Sequence, residues 1–203
     1  NLICRSLLRQ GCLLLALGLA SLALPSVMRA VDPPPDGGYP NRNTAEGTDA
    51  LFSLTTGTGN TAVGFDALFN NTTGQQNTAI GTNALFANTI GGSNTATGRA
   101  ALTSNTDGFG NTATGANALS SNTLGVWNTA TGLQALQHNT TGQSNTAIGS
   151  FTLSANIGDF NTAIGGFALR RNITGVFNTA CGVSALQQNT KGDSNTAIGS
   201  GAL

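Results

Sequence analysis

The chain has 203 residues, only 8% of them charged, and its formal net charge is zero. From Asn43 onward there are six acids (Glu46, Asp49, Asp66, Asp107, Asp159, Asp193) and four bases (Arg99, Arg170, Arg171, Lys191), so the sequence encodes no basic groove for nucleic acid. One histidine, His138, and scattered acids leave no Ser/His/Asp arrangement, no paired carboxylates and no metal-ligand spacing, so neither an enzyme nor a metal or cofactor binder is expected.

Residues 1–30 read as an export signal. Arg5 and Arg9 give a positive start, residues 11–24 are an uncharged Leu/Ala-rich stretch, and Ser21 and Ala23 offer small residues for cleavage. The competing reading is a retained membrane anchor, which the shortness of the apolar run disfavours. Membrane contact is expected only through this segment, if it stays uncleaved. Cys12 follows Arg9-Gln10-Gly11, which lacks the apolar residues of a lipoprotein cleavage site. Residues 31–42, with Pro33-Pro34-Pro35, Gly37-Gly38 and Pro40, form a stiff irregular linker.

From Asn43 to the last residue the chain repeats every 17 residues as N-T-A-x-G-x-x-A-L-x-x-N-T-x-G-x-x. Copies begin at Asn43, Asn60, Asn77, Asn94, Asn111, Asn128, Asn145, Asn161, Asn178 and Asn195, and the one starting at Asn145 is a residue short near Asn156-Ile157-Gly158. A short fixed period means one structural unit stacked on copies of itself. Seventeen residues are too few for a helical hairpin or a leucine-rich repeat, and two glycines per unit work against a helix. The prediction is a parallel β-solenoid over residues 43–203, each coil made of two short strands and two turns, in a rod about 45 Å long at about 4.8 Å per coil. A helical turn at Asp66-Ala67-Leu68-Phe69 is the local alternative.

Each recurring residue has an expected role. Leu51, Leu68, Leu85, Leu102, Leu119, Leu136, Leu153, Leu169 and Leu186, at position nine, should form the core. Asn60, Asn77, Asn94, Asn111, Asn128, Asn145, Asn161 and Asn178 should stack into an amide ladder, asparagine also tolerating left-handed turns. The glycines should supply positive φ at corners. Cys181 takes a position-four slot filled elsewhere by Ile, Val or Thr, and is expected to be a small buried hydrophobe without a disulfide partner in the repeats. Ala at position three lies beside that column, and Ala at position eight lies beside Leu. If both segments are strands, both faces of each are restricted, and the second face is expected to pack on another chain. The competing explanation is that Ala merely fits a narrow coil interior.

Weaker signals are Thr-x-Thr pairs at Thr95/Thr97, Thr112/Thr114 and Thr129/Thr131, which resemble ice-binding β-solenoids but span three coils only. Sequons begin at Asn70, Asn71, Asn139 and Asn172. Phe52, Phe69 and Phe86 follow the core Leu, while Phe109, Trp127, Phe160 and Phe177 precede the next Asn; they form a contact stripe or simply cover turns.

The Asn-Thr-Ala-Ile-Gly runs at 77–81, 145–149, 161–165 and 195–199 resemble the head repeats of trimeric autotransporter (YadA-like) adhesins. They are also similar to the N-T-A-x-G-x-x-A-L arrays of bacterial surface and phage tail-fibre-like proteins. The resemblance spans residues 43–203, although the adhesin repeat is usually nearer 14 residues. It implies a left-handed β-roll, three chains side by side, and export for adhesion or spacing. The expected function is therefore a secreted or cell-surface, non-catalytic structural or adhesive repeat protein. It would partner itself, as a homotrimer or a head-to-tail homopolymer, and a host or environmental surface. The alternative is a subunit of an extracellular filament that polymerises end to end through uncapped coils. The missing initial Met and the mid-repeat stop at Gly201-Ala202-Leu203 favour a fragment of a longer protein over an end covered by another subunit.

Overall fold

The structure is a computed structural model, and it describes residues 40–203. The expectations for residues 1–30, and for the linker up to Tyr39, lie outside the described residues. The rest is a β-solenoid. Ten three-residue strands, β1 (Thr44–Glu46), β2 (Thr61–Val63), β3 (Thr78–Ile80), β4 (Thr95–Thr97), β5 (Thr112–Thr114), β6 (Thr129–Thr131), β7 (Thr146–Ile148), β8 (Thr162–Ile164), β9 (Thr179–Cys181) and β10 (Thr196–Ile198), form one sheet in sequence order. All neighbours pair in parallel and in register, so Thr lies over Thr and Ala over Ala from coil to coil.

Each coil holds one strand, not the two expected. The segment around Leu is a turn in which positions seven and nine take left-handed backbone, as at Asp66 (φ 55°) and Leu68 (φ 53°). This also replaces the helical turn considered for residues 66–69. Left-handed backbone costs an L-residue on the order of 1–2 kcal/mol, and bulky leucine is an unusual occupant. Two gains offset it. The Leu side chain is fully buried, a gain of roughly 1.5–3 kcal/mol. Its amide also bonds the next coil, as Leu85 N–H does to Ala101 O at 3.0 Å.

The alternation of backbone handedness explains the Ala-Leu pair. In a pleated strand, neighbours face opposite sides; here Ala84 and Leu85, like Ala101 and Leu102, are both buried. Position eight therefore says nothing about a second face. The core is a column of Leu flanked by two columns of Ala, from positions three and eight.

The two glycine corners differ in backbone conformation. At position five φ lies near 130°, and a Cβ on Gly98 would come within 2.7 Å of the Gly115 carbonyl carbon in the next coil. At position fifteen φ is not positive, but a Cβ on Gly91 would come within 2.5 Å of both Asn88 Oδ1 in its own coil and the Gly108 carbonyl oxygen in the next. The repeat asparagines are not left-handed either. Besides positions seven and nine, the left-handed residues fill position seventeen: Gln76, Ser93, Trp127, Phe160 and Phe177. Before the first full coil, Asn41 and Arg42 already have this geometry, and Asn41 O accepts the Gly59 amide at 3.0 Å.

Candidate interaction surface

Two amide ladders run inside the rod. The position-one asparagines make the one expected. Asn94 Nδ2 donates to Asn77 Oδ1 (3.1 Å) and to Gly108 O (2.8 Å), while its backbone amide donates to the same Asn77 Oδ1 at 3.0 Å. The pattern recurs at Asn60, Asn77, Asn111, Asn128, Asn145, Asn161 and Asn178. A second ladder joins the position-twelve asparagines, with Asn88 Nδ2 donating to Asn71 Oδ1 at 2.7 Å and Asn105 Nδ2 to Asn88 Oδ1 at 2.8 Å. The signal for it was the recurrence of that Asn in every full coil but the first, where Leu54 stands. Both ladders are buried, and both satisfy amides that would otherwise be costly to desolvate.

The second ladder bears on modification. Asn71, Asn139 and Asn172 head three of the four sequons and are fully buried, so a glycan cannot be attached to them in the folded rod. Asn70 is the partly exposed exception.

The nine core leucines, Leu51 to Leu186, line the interior and offer nothing to a ligand. What faces outward is the sheet. In every strand the central Ala is buried and its two neighbours point out or lie at the surface. Outward residues are thus Thr at position two in all ten coils, and Val63, Ile80, Thr97, Thr114, Thr131, Ile148, Ile164, Cys181 and Ile198 at position four. Ile80 and Ile164 are 43% and 42% exposed, high for β-branched apolar side chains. Cys181 is a free, exposed thiol, not the buried residue expected. Position six, around the glycine corner, is unconstrained by comparison: Phe65, Thr82, Arg99, Ala116, Leu133 and Ser150 follow one another.

The aromatics also lie on the surface, arranged coil over coil. Phe52, Phe69 and Phe86 stack with centroids 5.1 and 5.4 Å apart, and Phe160 stacks on Phe177 at 5.0 Å. Stacking hides the ring faces and leaves edges, which disfavours them as sugar platforms. Phe151 and Phe167 stack beneath the Arg170 guanidinium, 5.7 and 5.4 Å from their centroids. Trp127 meets Phe109 edge-on and lies over Gly110, where an added Cβ would come within 2.8 Å of the indole.

Among the described residues, no group of three or more His, Cys, Asp or Glu side chains is placed to hold a metal ion, and no helix is long and apolar enough to cross a membrane. One acidic pair stands out. Desolvation, and secondarily the Asp49 carboxylate one coil away, push the Asp66 carboxyl above its ordinary range. A raised carboxyl pKa means stability that is present at low pH and lost as pH rises through the folded-state value. Asp49→Asn keeps a residue suited to left-handed backbone, as Asn83 and Asn117 are at the same position. It should lower the Asp66 pKa in an NMR titration and raise the melting temperature slightly at pH 7, with no gain at pH 3.

These elements define a repeat rod whose most restricted surface is the outer sheet face, with Glu46 in the first coil as its one charge. Compared with protein-family models, curated proteins and solved structures, the chain matches none.

Proposed function

We propose that this chain is an exported, non-catalytic structural or adhesive rod of a bacterial cell surface that associates side by side with copies of itself through the outer face of its sheet. One observation carries the reading. The outward positions two and four are confined to Thr and to small or β-branched residues with a single charge, Glu46, whereas position six, also on the surface, changes freely. The fold itself asks only for strand-forming residues there. A partner is what restricts them further. Another copy of this chain suits the face, because it carries the same columns at the same coil spacing, with Glu46 of the first coil as its one charge to desolvate. The resemblance to adhesin head repeats supports three chains, a left-handed coil and display outside the cell.

The test is the mass of the chain from Val31 onward, by light scattering after size exclusion over a wide concentration range. A constant mass of three chains is expected. Ile164→Glu, on the outer face, should reduce it to one chain while the circular dichroism spectrum is unchanged. Mass that grows without limit, with rods in the electron microscope, would favour the end-to-end filament. A constant single-chain mass for the unaltered protein would overturn side-by-side association.

A further inference from the structure

The 16-residue coil gives the rod a seam unlike the others. In a regular junction the amides of positions thirteen to fifteen converge on one carbonyl of the next coil: Thr89, Ile90 and Gly91 all donate to Thr106 O, at 3.0, 3.3 and 3.2 Å. Thr72, Thr73 and Gly74 do the same to Thr89 O, and Thr106, Asp107 and Gly108 to Thr123 O. The later junctions keep two such bonds, as with Ile157 and Gly158 to Ile173 O. Between the coil at 128–144 and the coil at 145–160, among the described residues, Thr140, Thr141 and Gly142 make none.

The second asparagine ladder breaks at the same place. Asn156 Nδ2 donates to Gly158 O at 2.8 Å within its own coil and does not reach Asn139. Asn139 Oδ1 is left buried with no hydrogen-bond partner. Above the break the ladder resumes, Asn172 Nδ2 donating to Asn156 Oδ1 at 2.7 Å.

The other side of the same junction is complete. Strands β6 and β7 pair in register, Asn145 donates to Asn128 Oδ1 through both its backbone amide (3.0 Å) and Nδ2 (3.1 Å), and Gly149 N–H reaches Thr131 O at 2.7 Å. On the open edge itself the gap is bounded: Gln143, next to Gly142, donates its amide to the Asp159 carboxylate at 2.9 Å, so the unbonded stretch is Thr140–Gly142.

We infer that this junction is a hinge built into the rod: it opens first on the side of Asn139 and Thr140–Gly142 while the strand side stays zipped. In a stack held by nearest-neighbour contacts, local opening follows the weakest junction. The missing residue removes bonds from one edge only, so the opening is a bend and not a clean separation. The arrangement divides the rod into a longer block below residue 145 and a shorter one above it, able to tilt against each other. For a surface rod this would let the distal block swing under load.

Hydrogen exchange of the full chain tests this. The amides of Leu136 and His138 bond across the junction, to Thr152 O and Ser154 O, both at 3.0 Å, as Leu102 and Ser104 bond across a regular one. After correction for intrinsic rates, Leu136 and His138 should exchange at least tenfold faster than Leu102 and Ser104. Inserting a threonine between Asn156 and Ile157 recreates the Asn-Thr-Ile-Gly of residues 88–91 and should abolish the difference. Deleting Thr106 from the unaltered chain should create a second fast-exchanging seam, at Leu85 and Ala87, beside the one at Leu136 and His138. Equal protection at both junctions in the unaltered chain, or an insertion that leaves Leu136 and His138 fast, would overturn the hinge.

Discussion

Gly115→Ala should unfold the middle of the rod. Gly115 has φ 130°, and an added Cβ would come within 2.6 Å of Gly132 O and 2.7 Å of its carbonyl carbon. Both atoms are backbone, fixed by the next coil, so no side chain can move aside. Backbone strain alone costs about 1–3 kcal/mol, and relieving the clash means separating two coils that share hydrogen bonds along their whole perimeter. A total loss of at least about 4 kcal/mol is expected, with the urea midpoint as the measurement. Gly166→Ala is the control. Its φ is not positive, and the nearest atom to its Cβ is Ser150 O at 3.8 Å, so that substitution should be neutral or stabilise by about 0.4–1 kcal/mol. A Gly115→Ala protein with an unchanged midpoint would show that the glycine column is not a packing constraint.

Asn111→Asp should be of similar severity and strongly pH-dependent. Asn111 is fully buried; its Nδ2 donates to Asn94 Oδ1 (3.2 Å) and Gly125 O (2.8 Å), and its Oδ1 accepts two bonds from Asn128. An aspartate keeps the accepting oxygen but turns the donor into a second acceptor facing two acceptors. Ionised, it is a buried charge without compensation, costing about 3–5 kcal/mol. Its folded-state pKa must therefore rise above the unfolded value of about 3.9. The sign follows: the variant is most stable below about pH 4 and weakens as pH rises through the raised value. Urea titrations at pH 3.5 and pH 7 should differ by several kcal/mol more than for the unaltered chain. Asn117→Asp makes the contrast, because position seven already carries Asp49 and Asp66 in the same left-handed backbone, and it should shift stability by less than about 0.5 kcal/mol.

Both predictions rest on residues visible in the repeat, but their reasons were only partly legible there. Recurrence marked Gly115 and Asn111 as structural. It did not say that both glycine columns face a carbonyl of the next coil, one of them with positive φ and the other beside an asparagine amide, since either demand leaves the same letter in every coil. The outward face was inferred from two Ala-apolar pairs. Only the pair at positions three and four lies in a strand; the pair at eight and nine is wholly internal. Adjacent small and large apolar residues read the same in a strand and in a turn of alternating handedness. Cys181 differs from its expected burial for a separate reason: it lies in a strand whose apolar position-four column faces outward.

What the sequence by itself determined is the period, the parallel in-register stacking it forces, the leucine core and the first asparagine ladder. A repeated unit can be satisfied in every copy at once only if like residues lie over like, so identity along the chain becomes adjacency in space. What the tertiary structure decided is the shape of each coil: one strand instead of two, leucine in left-handed backbone, a second amide ladder, and the break in it beside Asn139. These depend on energies shared between coils, since a strained φ or a lost amide partner is set by what the neighbouring coil offers at that height, and no single 17-residue unit contains that information.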